Sequence, residues 1–89
     1  MKNIMLDIET MGTKVGCKVM SIGACKFDIN TGEIGETFHQ QINLETCTGS
    51  FDASTVLWWL KQSDEARSKF KDNDKQPSSK EVVTSFMNF

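Results

Sequence analysis

The chain has 89 residues, enough for one domain with a thin core that buries about 60–65% of the unfolded chain's surface. Its 10 basic and 12 acidic residues give a net charge of −2, a balance that excludes a broadly basic surface for nucleic acid. No uncharged run reaches the roughly 18 residues of a membrane-spanning helix, so we expect no membrane partner. Three cysteines without a C-x-x-C pair indicate reduced thiols and a cytoplasmic protein.

The first predicted element is a short buried strand over residues 2–9. Side chains alternate between the two faces of a strand, so Asp7 and Glu9 share one face. The opposite face is apolar and consists of Ile4, Leu6 and Ile8. Two glycines within residues 11–16 then predict a loop after the strand.

Two further strands are predicted over residues 18–27 and 34–43. The residues between them, 28–33, contain an Asn-Thr-Gly sequence, which is typical of a tight turn because asparagine and glycine accept positive φ angles. The two strands therefore form a predicted hairpin. Together with the first strand, this hairpin gives a three-stranded antiparallel meander.

Helical periodicity begins after Asp52, whose side chain is predicted to cap the first helix. Ser63 is predicted to begin a second, short helix, and Ser78 with Glu81 forms a capping-box pattern before the last helix. The apolar stripe of this last helix consists of Val82, Val83, Phe86 and Met87. We expect this stripe to be exposed, because no further strand follows to cover it, and such a patch favours a homo-oligomer formed through this helix.

Two pairs of side chains allow more than one interpretation. Trp58 and Trp59 on the first helix either pack in the core, one ring buried and one half-buried, or stack on a base in a nucleotide pocket. Lys14 and Lys18, which follow the first strand, are either solvated loop charges or contacts to phosphate. Periodicity leaves both alternatives open.

Asp7 and Glu9 are the first residues that suggest chemistry. They lie two positions apart on one strand face, about 7 Å from each other along the strand. Two like charges are costly at this distance in a buried strand without a cation between them, and hard divalent ions take carboxylate oxygens as ligands. The spacing suits a two-metal site that hydrolyses phosphodiesters. The alternative is a pair of solvated carboxylates at a strand end.

Four stretches of the sequence resemble one protein family, and one of them is the turn over residues 27–33, which resembles the hairpin turn of that family. Residues 4–10, Ile-Met-Leu-Asp-Ile-Glu-Thr, resemble the first motif of the DEDD (DnaQ-like) 3′–5′ exonucleases. Residues 19–24, Val-Met-Ser-Ile-Gly-Ala, resemble the second strand of that family. Residues 54–67, around the two tryptophans, are similar to its small phage and prophage branch, which includes exonuclease VIII-like and exoribonuclease-like proteins. The likeness runs along the whole chain in the family's order.

The resemblance implies an α/β fold of the ribonuclease H-like type, of which residues 1–89 are an N-terminal portion. It also implies that Asp7 and Glu9 hold two catalytic ions, Mg²⁺ or Mn²⁺, and that Thr10 and Met11 lie against the terminal nucleotide. The implied reaction is hydrolysis of the last phosphodiester at the 3′ end of single-stranded DNA or RNA, with release of a nucleoside monophosphate.

Residues 1–89 contain only the first of the family's motifs. The later motifs supply another Asp, a His or Tyr general base and a final Asp, and none of these has a counterpart here. His39 lies on the third predicted strand, out of order for a general base, and we expect a surface or hairpin role for it. We therefore expect a truncated exonuclease. The alternatives are a catalytically inactive (pro)phage-derived remnant and a small interaction module.

Overall fold

A computed structural model describes residues 2–89 and has an α/β architecture, with an antiparallel sheet followed by helices. The strands are β1 (Asn3–Thr10), β2 (Val19–Phe27) and β3 (Ile34–Gln41), in the spatial order β1–β2–β3. The helices are α1 (Ala53–Leu60), α2 (Asp64–Arg67) and α3 (Ser79–Met87), and 3₁₀ turns occupy Leu44–Thr46, Ser68–Phe70 and Asn73–Lys75. None of the helices within residues 2–89 has the length and hydropathy of a membrane-spanning segment. The predicted meander and fold class are confirmed.

The hairpin formed by β2 and β3 closes through a turn over residues 28–33. The backbone N–H of Asp28 donates to the carbonyl of Glu33 at 2.9 Å, and the N–H of Gly32 donates to the carbonyl of Asp28 at 2.8 Å. Gly32 has a φ of +75°, a conformation that residues with a Cβ rarely adopt. The Asp28 carboxylate also accepts from the N–H of Asn30 at 2.8 Å. The turn predicted from the sequence is therefore present.

The hydrophobic core lies between α3 and the sheet. Ile22, Ile42 and Val82 form its buried centre, and Val82 is only 1% exposed. The rings of Phe38 and Phe86 pack beside this centre, with their centroids 5.8 Å apart. These contacts hold α3 on the sheet, because fully burying an apolar side chain of this size contributes roughly 1.5–3 kcal/mol.

The predicted apolar stripe of α3 is divided between the core and the surface. Val82 and Phe86 pack in the core, whereas Val83 and Met87 are 49% and 77% exposed. The helix has a sheet on one side only, so it buries the half of the stripe that faces β2 and β3. The expectation that the stripe is exposed is therefore confirmed for Val83 and Met87. It is wrong for Val82 and Phe86, because β2 and β3 already cover that side of the helix.

Strand β1 does not have the buried environment predicted for it. It lies at one edge of the sheet and, among the described residues, pairs only with β2. Ile4, Leu6 and Ile8 are each close to half exposed. The prediction of a buried strand is wrong because the exposure of a strand depends on its place in the sheet, which the alternation of its side chains does not encode.

The loop after β1 is fastened to the segment before α1. The N–H of Lys18 donates to the carbonyl of Ser50 at 2.7 Å, and the N–H of Ser50 donates to the carbonyl of Gly16 at 3.1 Å. Gly49 has a φ of +108° and passes so close to Gly16 that an added Cβ would overlap its carbonyl oxygen. These contacts hold the part of the loop that precedes β2 against the segment that precedes α1.

Serine side chains begin the two later helices, as predicted. The Ser63 hydroxyl accepts from the N–H of Ala66 at 3.2 Å, and the Ser78 hydroxyl accepts from the N–H of Glu81 at 3.2 Å. In the usual capping box, the Glu81 carboxylate would accept from the backbone N–H of Ser78. Here it accepts from the Ser78 hydroxyl instead, at 3.0 Å. Asp52 occupies the N-cap position of α1, but its side chain does not cap that helix, so this prediction is wrong.

Candidate active site

Asp7 and Glu9 lie on one face of β1, toward the end of the strand that leads into the loop. In the register of β1 and β2, Asp7 lies opposite Gly23 and Glu9 opposite Ser21, so both carboxylates point to the same side of the sheet. Asp7 is exposed, and the Glu9 side chain is 43% exposed. Water, ions and phosphate groups therefore have direct access to both carboxylates.

His39 continues the row of residues that begins with Asp7. It lies opposite Gly23 on β3 and is exposed, as the sequence predicts. Gly23 has no side chain, and a Cβ added there would be 3.7 Å from both the Asp7 carbonyl oxygen and His39 Cδ2. The sheet between Asp7 and His39 is therefore bare backbone, which a ligand can approach closely.

One cation lies next to the candidate metal ligands. The Nζ atom of Lys69 is 3.9 Å from Oε2 of Glu9 and 5.8 Å from the ring centre of Trp59. Lys69 belongs to the 3₁₀ turn that follows α2, so this ion pair joins two distant parts of the chain. No periodicity or motif in the sequence indicates the contact.

The two carboxylates supply oxygen ligands for a metal ion but do not form a complete cage. Within residues 2–89, no group of three or more His, Cys, Asp or Glu side chains is arranged to hold a metal ion. Mg²⁺ and Mn²⁺ fit the donor set, because one or two carboxylates commonly hold Mg²⁺ while water and substrate phosphate complete its shell. The Lys69 ammonium lies 3.9 Å from one of these carboxylates.

An apolar pocket of about 350 Å³ opens beside the loop that follows Glu9. Its walls consist of Met11, Val56, Trp59, Leu60, Arg67 and Phe70. The rings of Trp59 and Phe70 pack edge to face, with their centroids 5.1 Å apart. Ligand pockets commonly have volumes of roughly 300–1,000 Å³, and aromatic and methionine side chains suit a flat apolar ring. The pocket can therefore accept a group of that kind.

Thr10 and Met11, the residues expected against the terminal nucleotide, lead from β1 to this pocket. The Thr10 hydroxyl donates to the carbonyl of Gly12 at 2.6 Å, which stabilises the bend after the strand. Met11 is 8% exposed and lines the pocket. Contact of either residue with a nucleotide stays a prediction.

The tryptophans of α1 are more exposed than core packing would require. Trp58 is 55% exposed and Trp59 is half-buried, so the prediction of one buried and one half-buried ring is wrong. The physical reason is that Trp59 packs against Phe70, outside the core between α3 and the sheet. Trp59 instead lines the apolar pocket, and its role in a nucleotide pocket stays a prediction.

Asp52 fixes the loop after β1, a role that the sequence did not indicate. Its Oδ2 atom accepts from the N–H of Thr13 at 3.0 Å and from the Thr13 hydroxyl at 3.4 Å, and its own N–H donates to the carbonyl of Met11 at 2.9 Å. Position 12 has no room for a side chain beside this carboxylate. A Cβ added to Gly12 would overlap Cys17 Sγ and lie 2.9 Å from the Asp52 carboxylate. A glycine three residues after Glu9 is the one available signal, since glycine permits such close packing.

The two lysines that follow β1 differ in their surroundings. Lys14 is exposed, which agrees with a solvated loop charge. The Nζ atom of Lys18 donates to the carbonyl of Leu44 at 3.2 Å and also to the carbonyl of Cys47. Neither alternative drawn from the sequence describes Lys18, because its ammonium holds the 3₁₀ turn that precedes α1.

Comparison with known proteins assigns the chain to a family. The family described as the 3′–5′ exoribonuclease Rv2179c-like domain matches residues 2–89. The chain belongs to this family. The match includes β1 with its two carboxylates and all three helices, and the resemblance to DnaQ-like exonucleases is thereby confirmed.

A curated protein that this chain resembles is an exodeoxyribonuclease of Enterobacteria phage T4. The two are 29% identical over an alignment of 99 positions, which covers the whole of this chain and 43% of the phage protein. The chain therefore spans less than half the length of that relative. No solved structure matches the chain significantly.

Proposed function

We propose that this protein acts in metal-dependent 3′–5′ exonuclease cleavage of single-stranded nucleic acid, releasing nucleoside monophosphates. The observation that carries the proposal is the pair Asp7 and Glu9, accessible on one face of β1 in a chain that an exoribonuclease domain family matches. DNA and RNA are both candidate substrates, since the family description names a ribonuclease and the phage relative is a deoxyribonuclease.

Asp7 and Glu9 are the proposed metal ligands. Their carboxylates would hold Mg²⁺ or Mn²⁺ as part of a two-metal site, with water and substrate phosphate as further ligands. When bound, such ions activate water and stabilise the leaving oxygen of a phosphodiester. Pairing of β1 with β2 fixes the backbone positions from which both side chains extend, which supports their use as a ligand pair.

The terminal base is proposed to enter the apolar pocket. Stacking of a base on an aromatic side chain contributes about 1–3 kcal/mol, and Trp59 and Phe70 both line this pocket. Thr10 and Met11 follow Glu9 directly in the chain, so a base seated against Met11 directs its phosphate toward the carboxylates. Asp52 supports this arrangement because it holds the backbone of Met11 and Thr13.

Degradation of end-labelled oligonucleotides tests the proposal. The chain is incubated with 5′-labelled single-stranded DNA or RNA of one sequence, with Mg²⁺, with Mn²⁺ or with EDTA. We expect products that shorten from the 3′ end with either ion, and a rate reduced about 100-fold or more in Asp7→Asn. Glu33→Gln, which changes an exposed turn carboxylate, is the matched control and should leave the rate unchanged. Shortening no faster than in Asp7→Asn would exclude catalysis by this chain.

The second candidate function is non-catalytic, as a (pro)phage-derived remnant or a small interaction module. The exposed Val83 and Met87 of α3 favour it, because adjacent apolar side chains on a surface can bind another chain or a second copy. Light scattering after size exclusion, repeated over a range of protein concentrations, separates the candidates. A concentration-dependent dimer that Val83→Ser abolishes would support the interaction module, whereas a monomer that shortens oligonucleotides supports the exonuclease.

A further inference from the structure

We propose that Lys69 occupies the metal-binding position of Glu9 in the metal-free protein and is displaced when a divalent ion binds. This inference rests on the proposed function, because it takes Glu9 as a metal ligand. It adds a residue from the turn after α2 to a site otherwise built from β1 and the loop that follows it. Lys69 would thereby act as an internal competitor that sets how tightly the site holds its ion.

The ammonium of Lys69 lies at a carboxylate that a divalent ion would also use. Nζ of Lys69 lies 3.9 Å from Oε2 of Glu9, on a carboxylate that a divalent ion would need. A metal ligand must offer its oxygen lone pairs to the ion, and an ammonium held at the same oxygen repels an approaching cation. The two cations therefore compete for one carboxylate.

The ion pair between Lys69 and Glu9 is weak. The side chains of Lys69 and Glu9 are 42% and 43% exposed, and ion pairs between exposed side chains contribute little to stability. A divalent ion has twice the charge of the ammonium and can use the carboxylate of Asp7 as well. Displacement is consequently favourable at modest ion concentrations.

Trp59 supplies a second partner for the displaced ammonium. The Nζ atom is 5.8 Å from the centre of the indole ring, and cations within about 6 Å of an aromatic ring centre are attracted to its face. Phe70 holds that ring in place through an edge-to-face contact. Lys69 can therefore leave Glu9 and keep a favourable contact with Trp59, which lines the apolar pocket.

Mn²⁺ binding, measured by electron paramagnetic resonance of the free ion, tests the competition without reference to catalysis. The full chain is compared with Lys69→Gln, Lys69→Arg and Lys71→Gln, the last of which removes the same charge from a neighbouring exposed position. We expect Lys69→Gln to lower the Mn²⁺ dissociation constant roughly two- to five-fold, as expected for loss of an exposed ion pair. Lys69→Arg and Lys71→Gln should bind Mn²⁺ as the unaltered chain does.

The possible outcomes separate this inference from the proposed function. If the unaltered chain binds Mn²⁺ and Asp7→Asn weakens the binding, but Lys69→Gln binds no more tightly, the competition is overturned while the metal site stands. Equal tightening in Lys69→Gln and Lys71→Gln also overturns it, because the effect would then reflect net charge. Absence of Mn²⁺ binding in the unaltered chain and in Lys69→Gln overturns both proposals. Circular dichroism melting confirms that each variant is folded.

Discussion

The carboxylate of Asp52 accepts a hydrogen bond from the backbone N–H of Thr13, with 3.0 Å between Oδ2 and the nitrogen. The backbone N–H of Asp52 donates in the opposite direction, to the carbonyl of Met11 at 2.9 Å. The start of α1 therefore holds the loop after β1 at two points, one on each side of Gly12. The direction in which the chain leaves the candidate metal ligands depends on this pair of contacts.

Replacement of Asp52 with alanine is expected to loosen this loop and to lower stability. The free energy of unfolding should fall by about 1–2 kcal/mol. This value lies at the low end of the range for hydrogen bonds to charged groups, because the bonds between Asp52 and Thr13 are exposed to water. Urea denaturation followed by tryptophan fluorescence measures the change. Asp74→Ala, at an exposed position in a 3₁₀ turn, is the control, and equal losses in the two variants would contradict the prediction.

Substitution of Gly12 by alanine is expected to destabilise the protein through steric overlap. The added methyl group would overlap Cys17 Sγ and crowd the Asp52 carboxylate, and overpacking of this kind costs about 1–3 kcal/mol. Thermal denaturation measures the loss. Gly23→Ala serves as the control, because its methyl group meets its nearest neighbours at an ordinary 3.7 Å. Partial recovery in the double variant Gly12→Ala, Cys17→Ala would identify the overlap as the cause, and its absence would refute that cause.

Two adjacent residues of α3 give a matched test of the core. Val82 is 1% exposed and Val83 is 49% exposed, and both are valines in the same helix. Val82→Ala should lower the free energy of unfolding by roughly 2–3 kcal/mol, since it removes buried methyl groups and leaves a cavity. Val83→Ala should cost less than about 1 kcal/mol because water already contacts much of its side chain. Chemical denaturation measures both losses. A larger loss in Val83→Ala than in Val82→Ala would disprove the assigned packing.

The cap of α3 provides a test of local structure. Ser78→Ala removes the hydroxyl that accepts from the N–H of Glu81, and loss of such an N-cap costs about 0.5–2 kcal/mol. Ser85→Ala changes a serine at an exposed position within the same helix, where alanine is the better helix former. We expect the first substitution to lower the melting temperature and the second to leave it unchanged or raise it. A larger loss from Ser85→Ala would be inconsistent with the cap.

The hairpin and the serine caps could be predicted because each depends on residues that are close in the chain. The Gly32 turn and the Ser78 cap use partners within a few positions. Asp52 could not be assigned in this way, because a carboxylate at an N-cap position can satisfy its own helix or a distant donor. Here it binds Thr13 of a different segment, a choice that depends on tertiary packing.

In the candidate site, too, the features that depend on residues close in the chain were predicted, and a contact that depends on tertiary packing was missed. The shared face of Asp7 and Glu9 follows from the period of a strand, and the structure has them on that face. Their exposure was left as one of two alternatives, because it depends on the position of β1 at a sheet edge, which is a property of strand order. The contact of Lys69 with Glu9 was missed because it requires the turn after α2 to pack next to β1.

The place of β1 at the edge of the sheet bears on how the protein exchanges its amide hydrogens. Strand β2 is hydrogen-bonded on both sides within residues 2–89, whereas β1 is hydrogen-bonded on one side. Within residues 2–89 we therefore expect amides along the outer side of β1 to exchange with solvent deuterium faster than those of β2, which exchange through larger opening events. The strand that carries Asp7 and Glu9 would then combine a fast-exchanging outer row of amides with a slower inner row that is bonded to the strand beside it.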